Sequence, residues 1–188
     1  MNAGTEKTKK RFCAPGVIIL LAAFILSAGQ AAAGETDLWQ IGGRLGFSDG
    51  RNDEDFSQAE VFAARQLPLP FASGDRLSSA VLLEASAGLL SGANTHGFVG
   101  AVGPGLAIDL WGERLRLKAG ISPTVISQDR YGDEDLGGPI QFTSHVGASV
   151  KIYQAAALGY RFQHMSNAGL YRRNPGLNLH VVEVSWRF

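Results

Sequence analysis

The sequence predicts an all-β protein, an eight-stranded antiparallel transmembrane β-barrel of the outer-membrane type. Three observations carry that prediction. Apolar and polar residues alternate with period two in eight successive segments, and the connections between them alternate between long and short. The chain also ends on an aromatic residue in phase with an apolar face.

The 188 residues carry no net formal charge, 45% of them are hydrophobic and 24 are glycine. That length suits one domain or one barrel. The neutral balance argues against a nucleic-acid partner, which favours a basic excess. Glycine is abundant but follows no Gly-X-Y period, so the chain is neither collagenous nor disordered.

The first element is an export signal. Lys7, Lys9, Lys10 and Arg11 form a basic stretch, Val17 to Leu26 is an unbroken run of ten apolar residues, and Ala31-Ala32-Ala33 supplies small residues for cleavage. This is the layout of a Sec signal peptide, and the run is well short of the roughly 20 residues a spanning helix needs. Residues 1–33 are therefore expected to be removed, leaving 34–188 as a single barrel domain. Four basic residues and one acidic residue leave with the signal, so the mature chain is mildly acidic, 13 against 16. The only cysteine, Cys13, leaves as well, so the exported chain has no disulfide.

The strands follow in order. In 38–47, Trp39, Ile41, Leu45 and Phe47 share one parity, against Gln40, Gly42, Arg44 and Gly46. In 77–90, Val81, Leu83, Ala85 and Leu89 oppose Ser78, Glu84 and Ser86. In 114–122, Leu115, Leu117, Ala119 and Ile121 oppose Arg114, Arg116 and Lys118. In 140–152, Ile140, Phe142, Val146, Val150 and Ile152 oppose Gln141, Thr143, His145, Ser149 and Lys151. Segments 58–67, 97–110, 155–166 and 178–188 repeat the theme less cleanly. Successive strand side chains point to opposite faces, so each segment has one apolar and one polar face.

A soluble barrel or sandwich alternates too, and other features separate the cases. Connections 48–57, 91–96, 124–138 and 167–177 read as long and polar, while 111–113 and 153–154 read as tight turns. The connection 68–76, holding Pro68 and Pro70, is the exception. Charges on the polar faces, among them Arg44, Glu60, Glu84, Arg116 and Lys151, fit a polar barrel interior better than a dry soluble core. The ending Val182-x-Val184-x-Trp186-x-Phe188 resembles the C-terminal assembly signal of bacterial outer-membrane proteins. Placing both termini in the periplasm puts the long loops outside the cell.

One pair of residues carries chemistry. In 155–166 the apolar parity is Ala156, Leu158, Tyr160 and Phe162, and continuing the count places His164 and Ser166 on that same outward face. Residues two apart on a strand are same-face neighbours at roughly 6.5–7 Å, within reach of a His-activated serine nucleophile. On spacing alone, the pair reads rather as polar residues at the headgroup layer. His96 lies at a loop edge, His145 has inward parity, and His180 is outward without a neighbouring serine, so none is expected to form a comparable pair.

The run His164-Met165-Ser166-Asn167-Ala168-Gly169, followed by Asn174-Pro175-Gly176, resembles the active-site signature of the PagL family of lipid A 3-O-deacylases. The resemblance implies an outer-membrane serine esterase that removes the ester-linked acyl chain at position 3 of lipid A. It implies Ser166 as nucleophile and His164 as general base. Asn174 and the backbone N–H of Gly169 would form the oxyanion hole, with Asn167 supporting the loop. The implied partners are lipid A or lipopolysaccharide and the outer-membrane lipid, and members of the family can dimerise, although no interface is visible in these residues. The family's acid falls at Asn178, an amide, which departs from the pattern. An amide oxygen still accepts from imidazole Nδ1–H, as in Cys-His-Asn proteases, but brings no charge. Glu183, the nearest acid, has the inward parity.

A non-enzymatic adhesion or structural barrel, or another lipid-modifying barrel such as a phospholipase or acyltransferase, would share this architecture. A passive barrel, however, has no need of His-x-Ser-Asn-Ala-Gly on its outer surface. The acidic run Asp53-Glu54-Asp55 and the loop set Asp129, Asp133, Glu134 and Asp135 read as solvated loop charge rather than a metal site. No metal and no cofactor is expected.

Overall fold

The computed structural model describes residues 39–52, 54–72 and 76–188. The expected signal peptide, residues 1–33, lies outside the described residues. Eight long strands form a closed barrel: β1 (Trp39–Ser48), β2 (Phe56–Ala72), β3 (Leu77–Gly92), β4 (Thr95–Leu110), β5 (Leu115–Ile126), β8 (Ile140–Tyr153), β9 (Ala156–Ser166) and β10 (Leu177–Arg187). Two short strands, β6 (Arg130–Tyr131) and β7 (Glu134–Asp135), make a hairpin within the loop between β5 and β8. Every neighbouring pair in the barrel is antiparallel, and β1 closes on β10 from Gln40 opposite Arg187 to Ser48 opposite Leu179. Reciprocal backbone bonds of 2.9 Å between Trp39 and Phe188 finish the seam.

The alternation sorts side chains as the sequence predicts. On β1, Gln40 and Arg44 are buried inside while Trp39 and Phe47 are exposed outside. Val102, Leu106, Leu117, Ile121, Val146, Val150, Leu158 and Val182 lie exposed on the outer wall. So much contiguous apolar surface requires an apolar surrounding. Trp39, Trp111, Tyr153 and Trp186 gather at the short-turn rim, as an aromatic girdle does at a membrane interface.

Two connections differ from the expectation. Residues 91–96 are not a long loop. β3 and β4 meet through Ala93 and Asn94, both at positive φ (47° and 61°), in the two-residue turn whose twist matches paired strands. The expected nine-residue connection 68–76 is mostly strand, because β2 runs on to Ala72. Its pairing with β3 jumps between Leu67 and Ala72, a bulge that accommodates residues unable to donate to the ladder. Long loops on one rim are therefore 49–55, 127–139 and 167–176, facing the short connections 73–76, 111–114 and 154–155 on the other.

The interior has two zones. In the middle, Arg44 lies among Glu60, Glu84 and Glu183 at 3.2, 2.7 and 2.8 Å. Arg161 bridges Glu60 and Glu84, Lys118 pairs with Glu183, and Arg116 grips Asp109 with two bonds. Nearer the long loops the interior turns apolar: Phe56, Leu90, Val99, Ile126, Tyr131, Leu136, Met165, Leu177, Leu179 and Val181 form one buried cluster. Tyr131 meets the Phe56 ring edge-on at 5.2 Å. Burial, and then the charge of Asp129, push its phenol up to about 12.

Removing Arg44 takes one cation from three buried carboxylates and leaves only Arg161 and Lys118 to balance them. Arg44→Ala should destabilise the barrel by about 3–5 kcal/mol, the usual cost of breaking a buried pair. Lys151→Ala, whose partner Glu113 is a half-exposed 3.9 Å away, should cost about 0–1 kcal/mol. Urea titration of the refolded barrel in lipid vesicles, followed by tryptophan fluorescence, reads both values. Equal midpoints would contradict the interior network as a stabilising element.

Candidate active site

The outward face of β9 is set by what its other face buries. Arg161 and Gln163 join the charged interior, and Met165 inserts between them and the loop as part of the apolar cluster, 1% exposed. With Met165 held inside, its neighbours His164 and Ser166 must point out. Antiparallel pairing then places Asn178 of β10 directly opposite His164, Ser144 of β8 on its other side, and Phe142 opposite Ser166.

His164 Nδ1 lies 2.7 Å from Asn178 Oδ1. The orientation of that amide is fixed by its other end, where Nδ2 donates to Asp49 Oδ2 at 3.3 Å. A carboxylate only accepts, so the NH2 group faces Asp49 and the amide oxygen faces the imidazole. The oxygen in turn requires the proton on Nδ1, which leaves Nε2 with a free lone pair. No hydrogen bond joins Ser166 to His164 among the described residues. Catalytic bonds are often long before substrate arrives.

Loop 167–176 is built around Asn167, which is fully buried. Its Nδ2 donates to the carbonyls of Leu136 and Arg173 at 3.1 and 2.6 Å, and its Oδ1 accepts from Gly169 N–H at 3.0 Å. Leu170 N–H closes a turn onto the Asn167 carbonyl, with Ala168 and Gly169 both at positive φ (52° and 82°). Asn167 N–H donates to Asn174 Oδ1 at 3.0 Å, which turns the Asn174 NH2 group away from Asn167, with no partner among the described residues. Asn167 thus ties the loop together, and Asn174 keeps an amide donor free among the described residues. The Gly169 N–H, expected as an oxyanion donor, is already engaged by Asn167 Oδ1.

Gly176, at φ 72°, lies so close over the imidazole that an added Cβ would stand 2.9 Å from His164 Cε1. Only glycine fits both that backbone conformation and that approach. The carbonyl of Gly176 accepts from Asn52 Nδ2 at 3.0 Å. Loop 49–55 therefore touches the site twice, through Asp49 and Asn52, neither of which sequence reasoning singled out.

The remaining candidates separate cleanly. Glu183 lies inside the barrel, bonded to Arg44 and Lys118, across the wall from His164. His145 lines an interior crevice with Glu84 and Arg161. His180 Nδ1 is 2.7 Å from Tyr160 OH on the outer face. His96, expected to lack a comparable partner, in fact has Nδ1 2.8 Å from Ser91 Oγ across the β3–β4 hairpin. That pair stands on the far side of the barrel, and no group orients its other ring nitrogen among the described residues. Asp53 lies outside the described residues. Asp135 pairs with Arg130 at 3.4 Å and Arg173 at 3.8 Å, and these three, with Asp129, Gly137 and Arg172, line a hollow of about 410 Å³ between the loops.

Asn167→Ala removes three hydrogen bonds at once and leaves the Leu136 and Arg173 carbonyls without their donor, at about 1–3 kcal/mol for each group left unsatisfied. Residues 167–176 should then exchange amide hydrogens and be cleaved by protease much faster, while the barrel strands stay protected. Unchanged exchange in that loop would contradict Asn167 as its anchor.

Residues 29–187 match the family described as lipid A 3-O-deacylase (PagL). The lipid A deacylase PagL of Bordetella bronchiseptica is 35% identical over 77 residues, 41% of this chain and 43% of that protein. The lipid A deacylase PagL of Pseudomonas aeruginosa is 38% identical over 61 residues, 32% of this chain and 35% of that protein. The matched stretch thus spans less than half the length of either curated relative. Among solved structures, the outer-membrane enzyme PagL superposes with a TM-score of 0.68 at 19% identity, covering 79% of this chain and 99% of that one. Neisserial surface protein A superposes with a TM-score of 0.52 at 12% identity, covering 83% and 100%. The fold is shared with both, and the match along nearly the whole described barrel decides the family: this chain belongs to the PagL family.

Proposed function

We propose that this chain is an outer-membrane serine esterase that hydrolyses the acyl ester at position 3 of lipid A, after removal of residues 1–33. The observation that carries the reading is the His164–Asn178 pair on the apolar outer wall, with no partner on Nε2 among the described residues and a serine one step along the same face. The apolar wall around the pair suits a substrate that carries acyl chains. An ester at the boundary between sugar headgroup and acyl chains lies at its depth, because the site occupies the long-loop rim and the aromatic girdle marks the opposite, periplasmic rim.

In this reaction Ser166 Oγ attacks the ester carbonyl as His164 Nε2 takes its proton. The Asn174 NH2 group meets the developing oxyanion. Gly169 N–H becomes a second donor only by leaving Asn167 Oδ1. His164 then returns the proton to the departing sugar oxygen, leaving an acyl group on Ser166. Water, deprotonated by the same imidazole, releases the fatty acid and restores the serine. Arg130, Arg172 and Arg173 around the loop hollow suit the phosphates of a lipopolysaccharide headgroup.

Expression in a bacterium with unmodified lipid A should yield lipid A that has lost one ester-linked chain, from position 3, by mass spectrometry. Ser166→Ala and His164→Ala should each abolish that loss about as completely as the double variant, since nucleophile and base act as one unit. Both variants should keep the heat-modifiable folded barrel. Unaltered lipid A beside folded wild-type protein would overturn the reading in favour of a passive barrel.

A further inference from the structure

We propose that Asp49 is a positioning residue for His164, acting through the Asn178 amide, so that the negative charge of the catalytic relay stands one side chain beyond the usual acid position. The proposal rests on His164 being the base of the reaction above. Its foundation is a continuous chain of bonds: His164 Nδ1 to Asn178 Oδ1 at 2.7 Å, then Asn178 Nδ2 to Asp49 Oδ2 at 3.3 Å.

The Asp49 side chain is only 10% exposed, and both of its oxygens are held. Oδ1 accepts from Arg51 N–H at 3.2 Å, and Oδ2 also pairs with Arg51 Nε at 3.1 Å. The second tie of the same loop, Asn52 Nδ2 to the Gly176 carbonyl, fixes the backbone that covers the imidazole. One loop therefore holds the base from two sides.

Three physical effects follow. The carboxylate decides which way the Asn178 amide faces, and hence which tautomer His164 adopts. A donor pulled toward a charge polarises the amide, which makes Oδ1 a stronger acceptor. The charge also stabilises imidazolium, less than a directly bonded carboxylate would, because the interaction falls with distance.

The groups facing His164 from its surroundings are otherwise uncharged: Ser144 from β8, Asn178 from β10, Ser166 on its own strand, and the Gly176 backbone from the following loop. Arg51, the cation nearest along this relay, is 78% exposed, where solvent screens it strongly. The pairing also explains the amide. A glutamate at 178 would set two carboxylates against each other, and one of them would hold a proton.

The test is Asp49→Asn, which removes the charge and, with its oxygen toward Asn178, keeps an acceptor there while giving up the one that Arg51 N–H uses. In detergent-refolded protein carrying labelled histidine, the NMR titration midpoint of His164 should fall by roughly 0.5 pH units, against about 1–3 for a direct carboxylate partner. In mixed micelles of lipid A, kcat should fall roughly tenfold with KM unchanged, a part of the 10²–10⁴ a general base contributes. The acid limb of the kcat/KM profile should move to lower pH, in step with the NMR midpoint. The double variant Asp49→Asn with Asn178→Glu, which moves the charge into direct contact, should restore both kcat and midpoint. An unchanged midpoint in Asp49→Asn overturns the proposal, and so does a lost activity that the double variant fails to restore. The NMR arm reads Asp49 whether or not lipid A is hydrolysed. Wild-type protein that titrates as expected but leaves lipid A intact would refute the assigned reaction instead.

Discussion

Closure of the sheet is the constraint on which the rest of this molecule depends. Eight antiparallel strands leave no edge only because β1 pairs with β10 along its length, sealed by the reciprocal Trp39–Phe188 bonds. That seam does more than satisfy backbone groups. It makes the first and last strands neighbours, and so brings loop 49–55 beside Asn178 and Gly176. It also encloses a space too narrow for bulk water, in which charges from β1, β2, β3, β5, β9 and β10 must compensate one another. Arg44 meets Glu60, Glu84 and Glu183 because they share one inward layer.

The division of that interior bears directly on the site. Charges satisfy the middle of the barrel, but the proposed catalytic face needs strands that do not shift by tenths of an ångström. Beneath the site the interior is dry, with Met165, Leu177 and Leu179 packed at 1% exposure or less. Close-packed side chains transmit position stiffly. Met165 and Leu177 lie opposite each other across the β9–β10 pair, immediately next to the His164–Asn178 pair. The bond between imidazole and amide is thus mounted on a backbone pair whose other face is pinned. Asn167 performs the same service for the following loop, joining it to Leu136 of the loop between β5 and β8.

Much of this was legible in the residues. All eight strands lie within a few positions of the predicted segments, and outward placement of His164, Ser166 and Asn178 follows from counting parity. The misreadings have specific causes. Segment 178–188 looked irregular because its inward residues change character, from Leu179 and Val181 near the loops to Glu183, Ser185 and Arg187 deeper in. A single polar-inside rule cannot describe a barrel with a dry cap. Pro68 and Pro70 suggested a loop, yet a bulged strand end tolerates residues that donate no bond. Asp49 and Asn52 sat in what read only as a polar connection. Their roles arise from closure, which joins residues well over a hundred positions apart and leaves no local pattern.

The placement of polar groups around the site answers two opposed demands. As the base of the proposed reaction, His164 needs a partner that fixes its tautomer, but it stands on an apolar outer wall, where a bare charge is costly. That cost falls from about 2–4 kcal/mol for a basic group at mid-bilayer to about 0–1 near the interface, and is smaller for acids. On the strand face itself the chain carries only neutral groups: Ser144, His164, Ser166 and Asn178. The carboxylate sits one side chain further out, on a loop, where Arg51 N–H and Nε already satisfy it. An amide is suited to the intermediate position because it accepts at one end and donates at the other. A carboxylate there could face His164 but not Asp49. Asparagine at 178 and aspartate at 49 are thus explained together: each is the residue type the other requires.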